Sequence, residues 1–390
     1  MVSPAPRMSG QLAVLRAVQD QPGISRVSVA RALGMPSGFA AETIARLHAL
    51  HLLIERPAHP TGSRGRPTTS LHPHPQGPLV VVAAVAHETW RVAAVQVGGG
   101  IVESVQSTHR RDRSEVLDDI AAELDGLARR YGDRIRAVAM SVPGTVVGTL
   151  LAQAPNLGWS EVDLSTVWKR ADPGCPFLAG NDATFAAIAE SRRGAAIGAG
   201  TLLHLYMDAG LGGAVIEGGR ALRGANGMAG EFGHMPFGDP TLHCRCGATG
   251  CWNTSLDGHA LARALGQPAP ADEVSYTRHI IEAARAQRPD ELSAIQALAR
   301  SLGRGAAGLV NAFDPHIVTV GGLGRDVLAL AAAQVAPAYL EGLMQFRASR
   351  HPPLIPAHFT DDAALVGAAE EALSSVLTDQ GMSDWSSRKP

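Results

Sequence analysis

The chain has 390 residues, 45% of them hydrophobic and 18% charged, with a formal net charge of −2. That length exceeds one ordinary core and that composition excludes a disordered polymer, so two or three folded α/β units are expected. No apolar run approaches the roughly 18 residues of a membrane span, and the N-terminal MVSPAPRMSGQ lacks a signal-peptide core, so a cytoplasmic protein with no membrane partner is expected.

Charge is unevenly placed along the chain. Through Ser70 there are eight arginines against only Asp20, Glu42 and Glu55; this basic excess either meets an anionic partner or is simply solvated. Leu12, Leu15 and Val18 fall at helical spacing before Gln21-Pro22-Gly23 and predict a first short helix. Ser25 opens a second, with Val29, Ala30 and Leu33 inward and Gly34 as its stop. After Gly34-Met35-Pro36, a third helix from Ser37 places Phe39, Thr43, Ile44, Leu47 and Leu50 on one side. Short helices about a tight glycine-containing turn make a helix-turn-helix pattern.

Leu52–Glu55 and Thr68–His72 then read as short strands on either side of a Gly/Pro/Arg tongue. The tongue is either a flexible linker or a wing with Arg64, Gly65 and Arg66 at its tip. As a wing, its arginines suit a narrow minor groove, and its glycine lets the backbone approach phosphate. The third helix would then enter the major groove, Ser37, Gly38, Ala41 and Glu42 reaching toward base edges and Arg46 toward phosphate. Glu42 is either an acceptor for a cytosine amine or a solvated helix position. Residues 1–75 are thus expected to form a winged helix-turn-helix with its linker, and double-stranded operator DNA is the implied partner.

From Pro78 onward the pattern changes. Residues 79–105 read as an antiparallel meander, followed by a helix near 114–130, a strand in RIRAVAMSVPG, and a strand CPFLAGND running directly into a helix from Ala183. A second round begins with TLLHLYMDAGLGGAVIEGG, and HIVTVGGLG precedes another helix. Alternating strands and helices in two rounds predict an α/β fold with lobes at 76–195 and 196–390. Cys244, Cys246 and Cys251 lie too close together to staple a large domain by disulfides, which favours a metal; Cys175 stands apart as a structural cysteine. Three thiolates and an imidazole from His234 or His243 suit tetrahedral Zn2+ with no open position, hence a structural role.

PNLGW at 155–159, ND at 181–182, GEFGH at 230–234, CRCGATGC at 244–251 and NAFDPHIVTVGG at 311–322 together resemble the ROK family of repressors, open reading frames and kinases. The resemblance implies a two-lobed actin-like, hexokinase-like fold with ribonuclease-H-like lobes, ligand sites in the cleft, and a C-terminal helix at about 361–376 returning to the first lobe. It assigns the zinc to His234, Cys244, Cys246 and Cys251. It assigns sugar contacts to Asn156, Asn181, Asp182, Glu231 and His234. Asn253 stands where family members commonly carry a sugar-binding Glu; an amide both donates and accepts, so hydroxyl preference is expected to change. Taken singly, Asp182 also reads as the cap of the helix that follows it.

In the family's kinases the position of Asp182 is the base, and two glycine-rich turns hold ATP phosphates. Here Ala84 and Ala86 stand for the Asp and Gly of the first turn, with Glu88 just beyond. The second reads Asp208-Ala209-Gly210-Leu211-Gly212-Gly213, losing a Thr and gaining an acid. Phosphoryl transfer rests on positioning and charge neutralisation, so the expectation is a sensor with no catalytic residue and a vestigial base. The implied protein is a sugar-responsive repressor of carbohydrate genes, a homodimer or tetramer whose effector is a sugar or sugar phosphate. Two other readings stay open: a sugar kinase retaining its Asp182 base, and a ligand-independent DNA-binding regulator.

Overall fold

A computed structural model describes residues 9–57, 69–168, 175–347 and 349–387. Arg64, Gly65 and Arg66 lie outside the described residues. Eleven α-helices and fifteen strands are described. In chain order they are α1 (Gly10–Asp20), α2 (Arg26–Ala32), α3 (Ser37–Ala49), β1 (Leu53–Pro57), β2 (Thr69–Pro73), β3 (Leu79–Val85), β4 (Thr89–Gln96), β5 (Ile101–Thr108), α4 (Arg113–Tyr131), β6 (Ile135–Val142), β7 (Thr145–Val147), β8 (Leu150–Ala154), β9 (Trp159–Asp163), β10 (Phe177–Asn181) and α5 (Asp182–Arg193). There follow β11 (Thr201–Met207), β12 (Leu211–Glu217), β13 (Arg220–Ala221), α6 (Gly258–Ala264), α7 (Glu273–Arg285), α8 (Pro289–Phe313), β14 (Ile317–Gly322), α9 (Gly324–Gly342), β15 (Leu354–Pro356), α10 (Ala363–Val376) and α11 (Asp379–Ser387). Among the described residues no helix is long and apolar enough to cross a membrane.

The chain divides into two compact units, one comprising 1–140, 163–179 and 368–390, the other 141–162 and 180–367. The sequence reading places lobes at 76–195 and 196–390 with a C-terminal helix returning to the first; the chain passes between the two compact units after residues 140, 162, 179 and 367, the last of these within α10.

The first unit opens with three helices and an antiparallel ribbon of β1 and β2, in register from Leu53 opposite Pro73 to Pro57 opposite Thr69. Ser9 and Ser25 cap α1 and α2 by accepting from Leu12 N and Ser28 N. Leu12, Val14, Leu15 and Val18 of α1 are buried, as are Val29 and Ala40, Ile44 and Leu47 of α3. One expectation fails: Phe39 is 51% exposed, because Ala40, one position on, takes the inward direction, and the Phe39 ring lies beside Gly10 instead. Beyond the ribbon, a sheet in the order β10-β6-β3-β4-β5 carries the expected meander. Its inner strands, β3 and β6, are almost wholly buried, which matches their near-continuous apolar sequences.

The second unit repeats the plan. Its main sheet runs β13-β12-β11-β14-β15, with β11 antiparallel to β12 and parallel to β14, and β14 parallel to β15. The segment TLLHLYMDAGLGGAVIEGG is therefore a hairpin, turning at Asp208–Gly210. Both five-stranded sheets place a meander on one flank and later strands on the other, the two-round pattern expected from the sequence. A core of residues from β11, β14, α8 and α9 closes around Trp252, Leu302, Val310 and Val327. Gly305 of α8 is required there, since a Cβ would overlap the Trp252 indole.

Candidate sugar and metal sites

Strand β10 delivers Asn181 and Asp182 to the start of α5, the strand-end position where α/β folds place ligands. Asn181, not Asp182, is the helix cap: its Oδ1 accepts from Thr184 N at 3.2 Å. Its Nδ2 donates to Gly144 O at 2.9 Å, tying the end of β10 to the turn after β6. Asp182 is the first helical residue and accepts from Ala183 N at 2.9 Å. Desolvation raises its carboxyl pKa to about 6, against the pull of these backbone hydrogen bonds, and the charge of Glu231 raises it further. Burial also pushes the Tyr206 phenol far up, with Asp208 and Asp182 adding to it.

Glu231 stands just before a short 3-10 turn, Phe232–His234, and accepts from Thr145 Oγ1 at 3.2 Å. Asn181, Thr145 and Glu231 share a small polar pocket with backbone from Gly144, Gly213 and Gly230. These glycines are needed: a Cβ at Gly213 would overlap His204 O, and one at Gly230, whose φ is +102°, would overlap Gly213 O. A carboxylate, a carboxamide and a hydroxyl converging on one pocket can read sugar hydroxyls. Thr145 and Gly144 were absent from the sequence-based site, although their Val-Pro-Gly-Thr turn after an apolar strand carries the same strand-end signal as Asn181.

The other expected contacts, Asp182, His234, Asn156 and Asn253, do not line that pocket. Asn156 is half-buried in the turn between β8 and β9, outside that pocket's lining. Asn253, on a 3-10 turn after Cys251, has its carbonyl committed to Leu211 N at 2.7 Å. It sits against Gly210 and Gly233 and so braces the glycine-rich hairpin turn.

His234, Cys244, Cys246 and Cys251 bring their ligand atoms within 4.8 Å of one another. Sγ of Cys244 lies 3.7 Å from Nδ1 of His234, and Sγ of Cys246 lies 3.6 Å from Sγ of Cys251. Ligands held about 2.3 Å from a tetrahedral centre stand roughly 3.7 Å apart, so donor set and spacing both fit zinc. His243, the other candidate nitrogen, is not part of this cluster. Arg245, between two of the cysteines, pairs with the buried Glu273 of α7 and anchors the metal loop to the helical layer.

In α3, Ser37, Gly38, Glu42 and Arg46 are exposed and Ala41 is half-buried. Arg46 NH2 lies 2.6 Å from Glu42 Oε1, an exposed ion pair one helical turn apart. Glu42 thus partly neutralises the cation expected to reach phosphate.

The paired α/β sheets, the strand-end polar pocket and the Cys3His cluster define a protein of the actin-like sugar-kinase fold. The chain belongs to the ROK family, whose pattern it matches over residues 86–374. It is 31% identical over 305 residues to a glucokinase of Streptomyces coelicolor, spanning 72% of this chain and 95% of that one. It is also 31% identical over 202 residues to the xylose repressor of Caldicellulosiruptor bescii, covering 48% of this chain and half of that protein. Among solved structures, a ROK family transcriptional regulator, a homolog of the E. coli MLC protein, superposes with a TM-score of 0.75 at 23% identity, over 97% of this chain and 98% of its own. A ROK family glucokinase from Streptomyces griseus, in complex with glucose and AMPPNP, superposes with a TM-score of 0.64 at 29% identity, over 76% of this chain and 99% of its own.

Proposed function

We propose that this chain is a sugar-responsive DNA-binding transcriptional regulator, acting as a repressor of genes for carbohydrate use. Its α1–α3 and β1–β2 module is read as a winged helix-turn-helix, its kinase-like body as the sensor, and its Cys3His cluster as a structural zinc site. One observation carries the reading: the three-helix and ribbon module precedes the region matched to the family. The regulator structure extends over 97% of this chain, whereas the glucokinase structure spans 76%. Among curated relatives, the xylose repressor supports the same direction.

In this reading α3 lies in the major groove of operator DNA, a homodimer meets two half-sites, and a sugar at Asn181, Asp182 and Glu231 shifts operator affinity by linkage. Loss of the Asp and Gly of the first phosphate turn, at Ala84 and Ala86, supports binding without turnover. A second reading, a sugar kinase, is favoured by Asp182 itself, whose raised pKa of about 6 is that of a base working near neutrality.

Two measurements separate the readings. Genomic fragments captured by the purified chain should yield an operator whose affinity changes on adding D-glucose or D-xylose. Sugar-dependent ADP release with magnesium ATP should be absent; turnover at about 1 s⁻¹ or faster, the ordinary enzyme range, overturns the sensor reading.

A further inference from the structure

The N-terminal module is fastened within the first unit by residues near the opposite end of the chain. Gln19, buried on α1, donates through Nε2 to Glu370 Oε1 at 3.0 Å, and its Oε1 accepts from Gly98 N at 2.6 Å. One carboxamide therefore joins α1, the turn after β4 and helix α10. Gly98 has a φ of +87°, and a Cβ on it would stand 2.8 Å from Pro22 and 3.1 Å from Pro73, so this turn is seated against the turn between α1 and α2 and the end of the ribbon. Arg16 donates from Nε and NH2 to the carbonyl of Leu377, just past α10, at 3.2 and 2.9 Å. A cation at a helix C-terminus complements the helix dipole as well as the free carbonyl. Finally, Trp385 of α11, only 7% exposed, donates from Nε1 to Leu50 O at 2.8 Å, at the end of α3.

Helix α10 also has a connection at its other end. Its first residues belong to the second unit, where Gly367 packs so closely on α5 that a Cβ would overlap the carbonyl of Phe185. Helix α5 is the one that begins at Asn181 and Asp182. The loop before α10 is held to the same helix, since Phe359 N donates to Glu190 Oε1 at 2.8 Å. Helix α10 thus carries Gly367, in close backbone contact with α5, and Glu370, in a buried hydrogen bond with the first helix of the module.

We propose that α10 and α11 form a clamp that sets the pose of the N-terminal module and links it to occupancy of the sugar pocket. Gln19, Glu370 and Trp385 are its positioning residues. The linkage rests on the regulator reading above, whereas the clamp itself does not. Sugar that draws in Asn181 shifts α5, and the close Gly367 contact transmits that shift to α10. The Gln19–Glu370 bond is the two-state element that both ends bias.

The test uses the full chain and two variants, the double substitution Glu370→Ala with Trp385→Phe and the single substitution Glu370→Gln, which keeps an acceptor oxygen. Hydrogen exchange without DNA or sugar should show the amides of α1 and α3 exchanging at least 10-fold faster in the double variant. The β11–β14 sheet should be unchanged, and Glu370→Gln should behave as the parent. Equal protection of α1 and α3 in parent and double variant overturns the clamp. For the linkage, calorimetry with D-glucose and D-xylose and anisotropy on captured operator DNA are run in parallel. The double variant should bind sugar within twofold of the parent while the sugar-induced change in operator affinity falls at least fivefold. An undiminished change overturns the linkage. A parent that binds neither DNA nor sugar sinks the regulator reading and the linkage with it, and the exchange result still decides the clamp.

Discussion

Asp182→Asn tests the pocket electrostatics with little change of shape. The carboxyl is held at about 6 from an ordinary value of 3.8, chiefly by desolvation, so its ionised form costs the folded chain about 3 kcal/mol. Because the folded-state value is the higher one, this cost is absent below about pH 4. It grows as pH rises through 6 and is complete above about 7. The amide retains an oxygen for Ala183 N. Urea titrations should therefore show the variant more stable than the parent by up to about 3 kcal/mol at pH 8, with the two curves converging at pH 4. A stability difference that does not change between these pH values would refute the desolvation argument. Keeping an acid there at such a cost is what a ligand site held ready requires.

Three further outcomes are expected. Purified protein should contain one zinc per chain by elemental analysis, and Cys246→Ser should lose it together with protease resistance in residues 230–255. Asn181→Ala removes both the α5 cap and the bridge to Gly144, so thermal unfolding should register a loss of about 1–2 kcal/mol and calorimetry a weaker sugar affinity. Arg46→Ala should lower operator affinity alike on all sequences and reduce the salt slope by about 1, whereas Glu42→Gln, which frees Arg46, should raise non-specific affinity.

The periodic and punctuated parts of this chain were legible in its sequence. The helix start at Ser25, the glycine stop after α2, the meander and the cysteine spacing all depend on neighbours within a few residues. Phe39 was misplaced because a helical stripe leaves an ambiguity of one position, and the small Ala40 fills the inward site. The capping role went to Asn181 over Asp182 for a similar reason, the two being adjacent and chemically interchangeable at an N-cap. Asn253 was assigned by its place after the last cysteine, but its hydrogen bond to Leu211 depends on where a hairpin 42 residues away turns. The Gln19–Glu370 bond joins residues 351 positions apart, and nothing local in either segment announces it.

Because segments more than 300 positions apart meet in the first unit, the order of synthesis matters. Leu50 leaves the ribosome long before Trp385 exists, so α3 must wait for α11 before acquiring its final seat. A chain lacking α11 would keep the pocket residues and the metal loop but lose the Trp385 bond that holds the end of α3.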